Sequence, residues 1–331
     1  MAVYPWQESD RRRLLGLRGH LPHAVLLTGP KGVGKVALAQ DWGKALLCES
    51  PTPAGEACDQ CEACHWFDAG THPDWFHLTF EEKEGKDGDI RLATEIAVDQ
   101  ARQATQFAQM SSFRGGRRIA LIEPADALNR AASNALLKVL EEPPLNTMFI
   151  LVSHRVRRLL PTLRSRCHRR DIGLPEPGLA TAWLKAEGVE QAEVRLAHAG
   201  GAPLGALAWQ EEEVWGQRRQ VLDALGAPED LDVAGEGERW GRIPSALWYG
   251  LSHKWLTDLL ARMVKAPVRF NPDYSNVLGK LAAQADLRGL IQLSRKHAED
   301  GRWVEHPLNR PLQIESWLLD YQALFESKGK E

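Results

Sequence analysis

A glycine-rich stretch with a lysine near its end is the first group of residues that could do chemistry. Residues 29–36 read Gly-Pro-Lys-Gly-Val-Gly-Lys-Val and match a phosphate-binding loop at every specified position except the last. In such loops backbone N–H groups and the lysine bind phosphate oxygens, and a Ser or Thr hydroxyl ligates Mg²⁺. Val36 takes the place of that hydroxyl and has no ligand atom, so we expect an incomplete Mg²⁺ site. The candidate nucleotide-binding residues are Gly29, Gly32, Gly34 and Lys35.

The lysine of this loop leaves two alternatives open. Lys35 would retain most of the electrostatic attraction for phosphate, so ATP or ADP could bind without being hydrolysed. Alternatively, the loop stays empty and Lys35 only stabilises a turn.

Four of the five cysteines form the second group, with spacings of nine, two and two residues between them. Tetrahedral Zn²⁺ takes four thiolates, and a two-residue gap lets one turn of chain present two sulfurs to the same ion. Residues 49–57 between them have little apolar content and would gain their order from the metal. The predicted ligands of one structural zinc site are Cys48, Cys58, Cys61 and Cys64.

Other chemistries of the cysteines remain open. A C-x-x-C pair can act as a redox dithiol, and four thiolates can also hold an iron–sulfur cluster. His65 and His72 lie near in sequence and could replace a thiolate, although a set of four cysteines does not need them.

The apolar runs predict the scaffold that must position these groups. Residues 24–28, before the loop, are a short apolar run typical of a buried parallel strand, and residues 36–47 after it have helical spacing. Further predicted elements are strands at 75–79, 118–123, 147–153 and 168–172, and a helix at 129–142. Strands that alternate with helices predict an α/β domain with a parallel sheet and helices on both faces.

Composition limits the class of protein. A formal net charge of −3 over 331 residues argues against a surface that binds nucleic acid throughout, although a local basic patch is compatible with it. Residues 1–13 lack the apolar core of a secretory signal, and no stretch approaches the roughly 20 apolar residues of a membrane span. We therefore expect a cytoplasmic protein of two or three domains, whose cysteines bind metal or stay free.

Two motifs carry a resemblance to a known family. Residues 134–144 read Asn-Ala-Leu-Leu-Lys-Val-Leu-Glu-Glu-Pro-Pro, and residues 163–167 read Leu-Arg-Ser-Arg-Cys. Both closely resemble the clamp-loader subunits of bacterial DNA polymerase III, which are AAA+ proteins. The four-cysteine insertion after the first helix of the predicted sheet domain is similar to the zinc module of that family. The resemblance covers about residues 1 to 210.

Two branches of the family look alike in these motifs: the ATP-hydrolysing motor subunits, gamma or tau, and the delta-prime subunit. Three departures favour delta-prime. Val36 replaces the Mg²⁺ hydroxyl, Pro124 stands where motors carry the glutamate that polarises water, and residues 201–207 lack the motors' second-domain arginine. The absence of a long extension beyond residue 331 also resembles delta-prime. The resemblance therefore implies a subunit without significant ATPase activity of its own, within a polymerase holoenzyme.

The Ser165-Arg166-Cys167 motif is the part of the catalytic apparatus that survives. In the family this arginine enters a neighbour's ATP site, so Arg166 would be catalytic in trans. Such arginine fingers are worth about 10³ to 10⁵ in rate in well-studied cases. The alternative is that Arg166 is one of many solvated arginines. Its neighbours, which could form a basic face for a partner or for DNA phosphate, are Arg155, Arg157, Arg158, Arg164, Arg169 and Arg170.

The resemblance and the helical spacing of later residues together predict three domains. Residues 1–173 would form the AAA+ nucleotide-binding-like domain, with the zinc module at about 48–64. A small helical lid at 174–211 and an all-α collar at 212–331 would follow. In the collar, helices are predicted at 246–260, 275–294 and 312–325, packed through Trp248, Trp255 and Trp317, and a polar loop is predicted at Lys83 to Asp89 in the first domain.

The family implies the partners as well. They are the gamma or tau motors and the delta subunit in a hetero-pentameric ring, the sliding clamp, and primed-template DNA bound through the assembled complex, with no membrane. Two other functions remain open: an active AAA+ motor, and a zinc-containing DNA-binding module with a vestigial nucleotide fold.

Overall fold

The computed structural model describes residues 3–84, 90–301 and 309–326. The chain divides into two compact units, Met1–Ala180 and Thr181–Glu331. No helix within these residues is both long enough and apolar enough to span a lipid bilayer. The predicted domains at 1–173, 174–211 and 212–331 stay a prediction.

The first unit contains a five-stranded parallel sheet, formed by β1 (Ala24–Thr28), β2 (Trp75–Leu78), β5 (Arg118–Ile122), β6 (Thr147–Ser153) and β7 (His168–Asp171). These strands lie in the order β2-β5-β6-β1-β7. A separate antiparallel pair consists of β3 (Glu82–Glu84) and β4 (Ile90–Leu92). The predicted polar loop from Lys83 to Asp89 therefore begins within a strand, and its residues 85–89 lie outside the described residues.

Helices surround this sheet and make up most of the second unit. In the first unit they are α1 (Glu8–Leu15), α2 (Lys35–Leu47), α3 (Glu62–Asp68), α4 (Val98–Gln109), α5 (Arg130–Glu141) and α6 (Pro161–Arg164), and α7 (Pro177–Ala186) crosses into the second. There the helices are α8 (Ala192–His198), α9 (Pro203–Leu207), α10 (Glu212–Leu225), α11 (Val233–Gly241), α12 (Ser245–Met263), α13 (Ser275–Gln284), α14 (Leu287–Asp300) and α15 (Arg310–Glu326).

The central strands are buried on both sides because helices cover both faces of the sheet. Side chains alternate along a strand, so Ala24 and Leu26 of β1 join a core with α4 and α5. Val25 and Leu27 are equally buried but point to the opposite face. Helix α2 packs against β1, β5 and β6 through buried residues that include Trp42. The predicted parallel sheet with helices on both faces is confirmed.

In the residues that the structure describes, the regular elements of the second unit are all helices, and they pack around an aromatic core. Trp248, Trp255 and Trp317 are 9 % exposed or less and pack helices together, as predicted. The helix expected at 275–294 is in fact two helices, because Asp286 interrupts the run. The carboxylate of Asp286 accepts a hydrogen bond from the backbone N–H of Gly289 at 2.7 Å and so caps the start of α14.

A buried arginine connects α10 to α8 and to the loop after α12. Both Nη atoms of Arg218, whose side chain is 2 % exposed, donate to the carboxylate of Asp273 at 2.8 Å. Its Nη2 also donates to Asn271 Oδ1 at 3.0 Å, and its Nε donates to His198 Nδ1 at 3.2 Å. The guanidinium stacks on Trp215 at 4.3 Å from the ring centre. One side chain thus holds three segments together.

We expect Arg218→Ala to destabilise the protein by about 2–3 kcal/mol, because it removes a donor from the buried side-chain oxygen of Asn271 and breaks the ion pair with Asp273, whose side chain is 30 % exposed. The free energy of unfolding, measured by chemical denaturation of the whole chain, tests this. The matched control is the exposed neighbour, for which Arg219→Ala should change stability by about 0.5 kcal/mol or less. Equal effects of the two substitutions would contradict the role of Arg218.

Candidate functional site

The phosphate-loop pattern lies between β1 and α2, where the sequence predicted it. Gly29, Gly32 and Gly34 all have positive φ, at 145°, 86° and 88°, conformations that glycine adopts far more readily than other residues. The side chain of Lys35 turns back into the loop, and its Nζ donates to the carbonyl oxygens of Gly29 at 2.8 Å and Pro30 at 2.5 Å. In this structure Lys35 thus stabilises the loop itself, and both alternatives for nucleotide binding stay open.

The N-terminal segment packs against the same loop, a contact that sequence reasoning missed. Trp6 Nε1 and Gln7 Nε2 both donate to the carbonyl oxygen of Val33, each at 3.0 Å. A Cβ at Gly34 would lie only 2.5 Å from the ring of Tyr4. No spacing rule connects residues 4–7 with residues 33–34, so the sequence carried no signal for this contact.

Two carboxylates near the end of β5 influence the pKa of Lys35. Glu123 directly follows the strand, and Asp126 lies in the turn after it. Burial lowers the pKa of Lys35 to about 8, and the negative charges of Asp126 and Glu123 partly oppose that shift. Burial raises the pKa of Glu123. Asp126, which sequence reasoning missed, accepts a hydrogen bond from the backbone N–H of His154 at 2.7 Å. Between them Pro124 offers no side-chain base for activating water.

Arg166 lies in the turn between α6 and β7, with 32 % of its side chain exposed. Its Nη1 donates to the carbonyl oxygen of Thr162 at 2.8 Å. Its Nη2 forms an ion pair with Glu141, the last residue of α5. A guanidinium has five N–H donors, so these two contacts leave three for another ligand.

The sheet separates Arg166 from the chain's own phosphate loop. Gly29 follows the carboxyl end of β1 and lies against Ile172, just past the end of β7. Arg166 precedes the amino end of β7, which is parallel to β1. The strand β7 from His168 to Asp171 spans roughly 10 Å, at about 3.3 Å per residue. Arg166 and the phosphate loop therefore lie at opposite edges of the sheet.

The four cysteines converge as predicted. Their sulfur atoms all lie within 4.8 Å of one another, and Cys48 Sγ and Cys61 Sγ are 3.8 Å apart. Four sulfurs around one ion at bond lengths near 2.3 Å would be separated by about 3.8 Å, so the cluster can hold a single metal ion. Within the described residues, the group that can bind a metal contains these cysteines and neither His65 nor His72.

Charged contacts attach the cysteine module to the rest of the first unit. Lys44 Nζ on α2 contacts Asp59 Oδ1 at 2.5 Å and Asp68 Oδ2 at 2.8 Å. Arg114 pairs with Glu49, which follows Cys48, and with Glu62, which follows Cys61. Because these pairs are partly exposed, each contributes about 1 kcal/mol or less. A bound metal is therefore the stronger candidate for ordering the module.

The arginines around Arg166 are accessible. The six that were expected to form a basic face are all exposed, and Arg169 pairs with Asp171 at 2.7 Å. Their exposure is compatible with the predicted basic face, which stays a prediction.

Comparison with known proteins identifies the family. A family model described as DNA polymerase III, delta subunit, matches residues 16–174. The DNA polymerase III subunit delta' of Pseudomonas aeruginosa is 40% identical over 264 residues, which cover 78% of this chain and 77% of that protein. The chain belongs to the delta' family. The delta' subunit of Escherichia coli is 32% identical over 283 residues, which cover 80% of this chain and 77% of that protein.

The similarity to a tau subunit covers less of the chain. The DNA polymerase III subunit tau of Bacillus subtilis is 32% identical over 155 residues, only 47% of this chain and 25% of that protein. The predicted clamp-loader family and the choice of its delta' branch are both confirmed. The sequence signal for that choice was the set of departures at Val36, Pro124 and residues 201–207.

Proposed function

We propose that this delta' family member acts in DNA replication as a ring subunit that hydrolyses no ATP itself and supplies Arg166 to the ATP site of a neighbouring motor subunit. The observation that carries the proposal is the position of Arg166. It lies at the opposite edge of the sheet from the chain's own phosphate loop. Thr162 and Glu141 hold its guanidinium, and three of the five N–H donors are left for another ligand. A fixed guanidinium can neutralise the charge that grows on a transferred phosphoryl group.

The loss of hydrolysis follows from the loop and the turn after β5. Val36 provides no oxygen for Mg²⁺, and Pro124 provides no base. For ATP or ADP to bind, Lys35 would have to exchange its two carbonyl contacts for phosphate oxygens. We therefore propose Gly29, Gly32, Gly34 and Lys35 as an inherited phosphate-binding scaffold rather than a working ATPase site.

We expect the purified chain to show no ATP hydrolysis above background, and Lys35→Ala to leave that rate unchanged. Release of phosphate from ATP measures both. Val36→Thr is the informative companion variant, because it restores a metal ligand while Pro124 still denies the site a base. Motor-like hydrolysis that Lys35→Ala abolished would instead identify an active ATPase.

We also propose that the metal of the cysteine cluster is zinc, bound by Cys48, Cys58, Cys61 and Cys64 in a structural site. Four thiolates with no position left for water or substrate suit structural zinc. The close spacing of the sulfurs favours a single ion over a cluster in which each thiolate binds a different iron.

The proposed partners are the gamma or tau motors and the delta subunit in a five-membered ring, the sliding clamp, and primed-template DNA contacted through the assembled complex. The family membership supports this assignment. An exposed apolar stripe on α15, with Leu312 at 61 % and Leu319 at 58 % exposure one heptad apart, suits helix packing against another subunit.

Reconstitution of the clamp loader tests the proposal. Motor and delta subunits are combined with no delta' chain, with this chain, or with its Arg166→Ala variant, and loading of the sliding clamp onto primed DNA is measured. We expect loading only with the unmodified chain. Loading that did not depend on the chain, or that Arg166→Ala left intact, would refute the proposed role.

A further inference from the structure

The ion pair between Arg166 and Glu141 has a specific geometry. Glu141 closes α5, and Arg166 lies 25 positions later in the turn before β7, so two different elements meet at this contact. The carboxylate takes one Nη and the Thr162 carbonyl takes the other. Both fixed points lie on the terminal nitrogens, so together they define the plane and the direction of the guanidinium.

We propose that Glu141 is a positioning residue for Arg166: its carboxylate holds the guanidinium in the orientation in which it enters the neighbouring ATP site. This inference rests on the proposed function of Arg166 in trans. Glu141 touches no nucleotide in this scheme and acts only through the arginine.

Positioning matters here because arginine has a long side chain with many rotamers. An unanchored arginine loses up to about 2 kcal/mol of side-chain entropy when it is ordered. An arginine that two contacts already hold in the free chain has lost most of this side-chain entropy before the transition state forms. Loss of the carboxylate contact should therefore lower the rate at the neighbouring site by about fivefold, far less than loss of the guanidinium itself.

The experiment measures ATP hydrolysis by the reconstituted clamp loader. We expect Glu141→Ala to lower kcat about fivefold at the site that receives Arg166 and to leave the KM for ATP unchanged. Glu141→Gln keeps an oxygen that can accept from Nη2 and should remain within about twofold of wild type. The matched control is Glu142→Ala, which removes the adjacent exposed glutamate and should have no effect. Thermal melting of each chain checks that the fold is retained.

The double variant separates positioning from a general structural effect. In an Arg166→Ala chain, Glu141→Ala should cause no further loss, because there is no guanidinium left to hold. An equal loss in both backgrounds, or no loss from Glu141→Ala while Arg166→Ala is defective, would overturn the role of Glu141 and leave the finger intact. If Arg166→Ala itself had no effect, the proposed function and this inference would fail together.

Discussion

In a reconstituted clamp loader, Arg166→Ala is expected to slow ATP hydrolysis at the motor site facing this chain by about 10³-fold or more, the range seen for arginine fingers. The guanidinium acts on charge that develops only in the transition state, so kcat should fall while the KM for ATP stays nearly constant. Hydrolysis at the other motor sites would mask the slower site in a measurement of the total ATPase rate. The measurement therefore uses single-turnover hydrolysis with the other motor sites disabled.

Two further variants make this result specific. Arg164→Ala removes an exposed arginine from the same short segment and should leave the rate unchanged. Arg166→Lys keeps the charge but loses the planar fork of donors, and should recover only part of the rate. If Arg164→Ala and Arg166→Ala were equally harmful, the arginines would act as a general basic surface and no single finger would be needed.

Removal of metal from the cysteine cluster is expected to disorder residues 48–64 while leaving the parallel sheet folded. Structural zinc contributes apparent binding energies of about 10–16 kcal/mol in zinc-finger peptides, and in such a module that energy is folding energy. The ion pairs that attach the module are partly exposed, and each is worth about 1 kcal/mol or less. They cannot replace the metal. The sheet has its own core of fully buried strands and should persist.

Metal analysis and hydrogen exchange would measure this effect. Protein purified without chelator should contain about one zinc per chain, and Cys64→Ser should lose both the zinc and the exchange protection of residues 48–64. Cys167→Ser changes the fifth cysteine, which lies outside the cluster, and should keep its zinc. Zinc far below one equivalent, or a reversible disulfide between cluster cysteines, would exclude the structural site.

The elements that sequence predicted best are those whose signals are local. Residues 147–153 form a single apolar run, and the structure has the strand β6 over the same residues. The helix at 129–142 was bounded by Asn129 and two prolines, and α5 occupies 130–141 with Asn129 as its cap. The run at 275–294 was less well predicted. Its apolar spacing continues across Asp286, and the capping hydrogen bond of that residue decides the break.

Contacts between distant residues could not be predicted in this way. The cysteine cluster is an exception, because metal chemistry dictates its ligand types and spacing. No comparable rule links Glu141 with Arg166, or Trp6 and Gln7 with Val33. Each of those pairs depends on how helices and strands pack against one another. A local sequence pattern does not predict that packing. The motif resemblance identified Arg166 as a candidate, while the partner that holds it came from the fold alone.

The contacts of two loop glycines give them a role in folding that does not depend on phosphate binding. A side chain at Gly29 would collide with the carbonyl oxygen of Ile172, and one at Gly34 would collide with Tyr4. These glycines are therefore required by folding whether or not a nucleotide ever binds. The hydroxyl at the last position serves only metal binding, so its replacement by Val36 leaves the fold undisturbed. The glycines of such a loop can therefore be kept by folding alone, and the residue at the final position of the motif says more about Mg²⁺ binding than the glycines do.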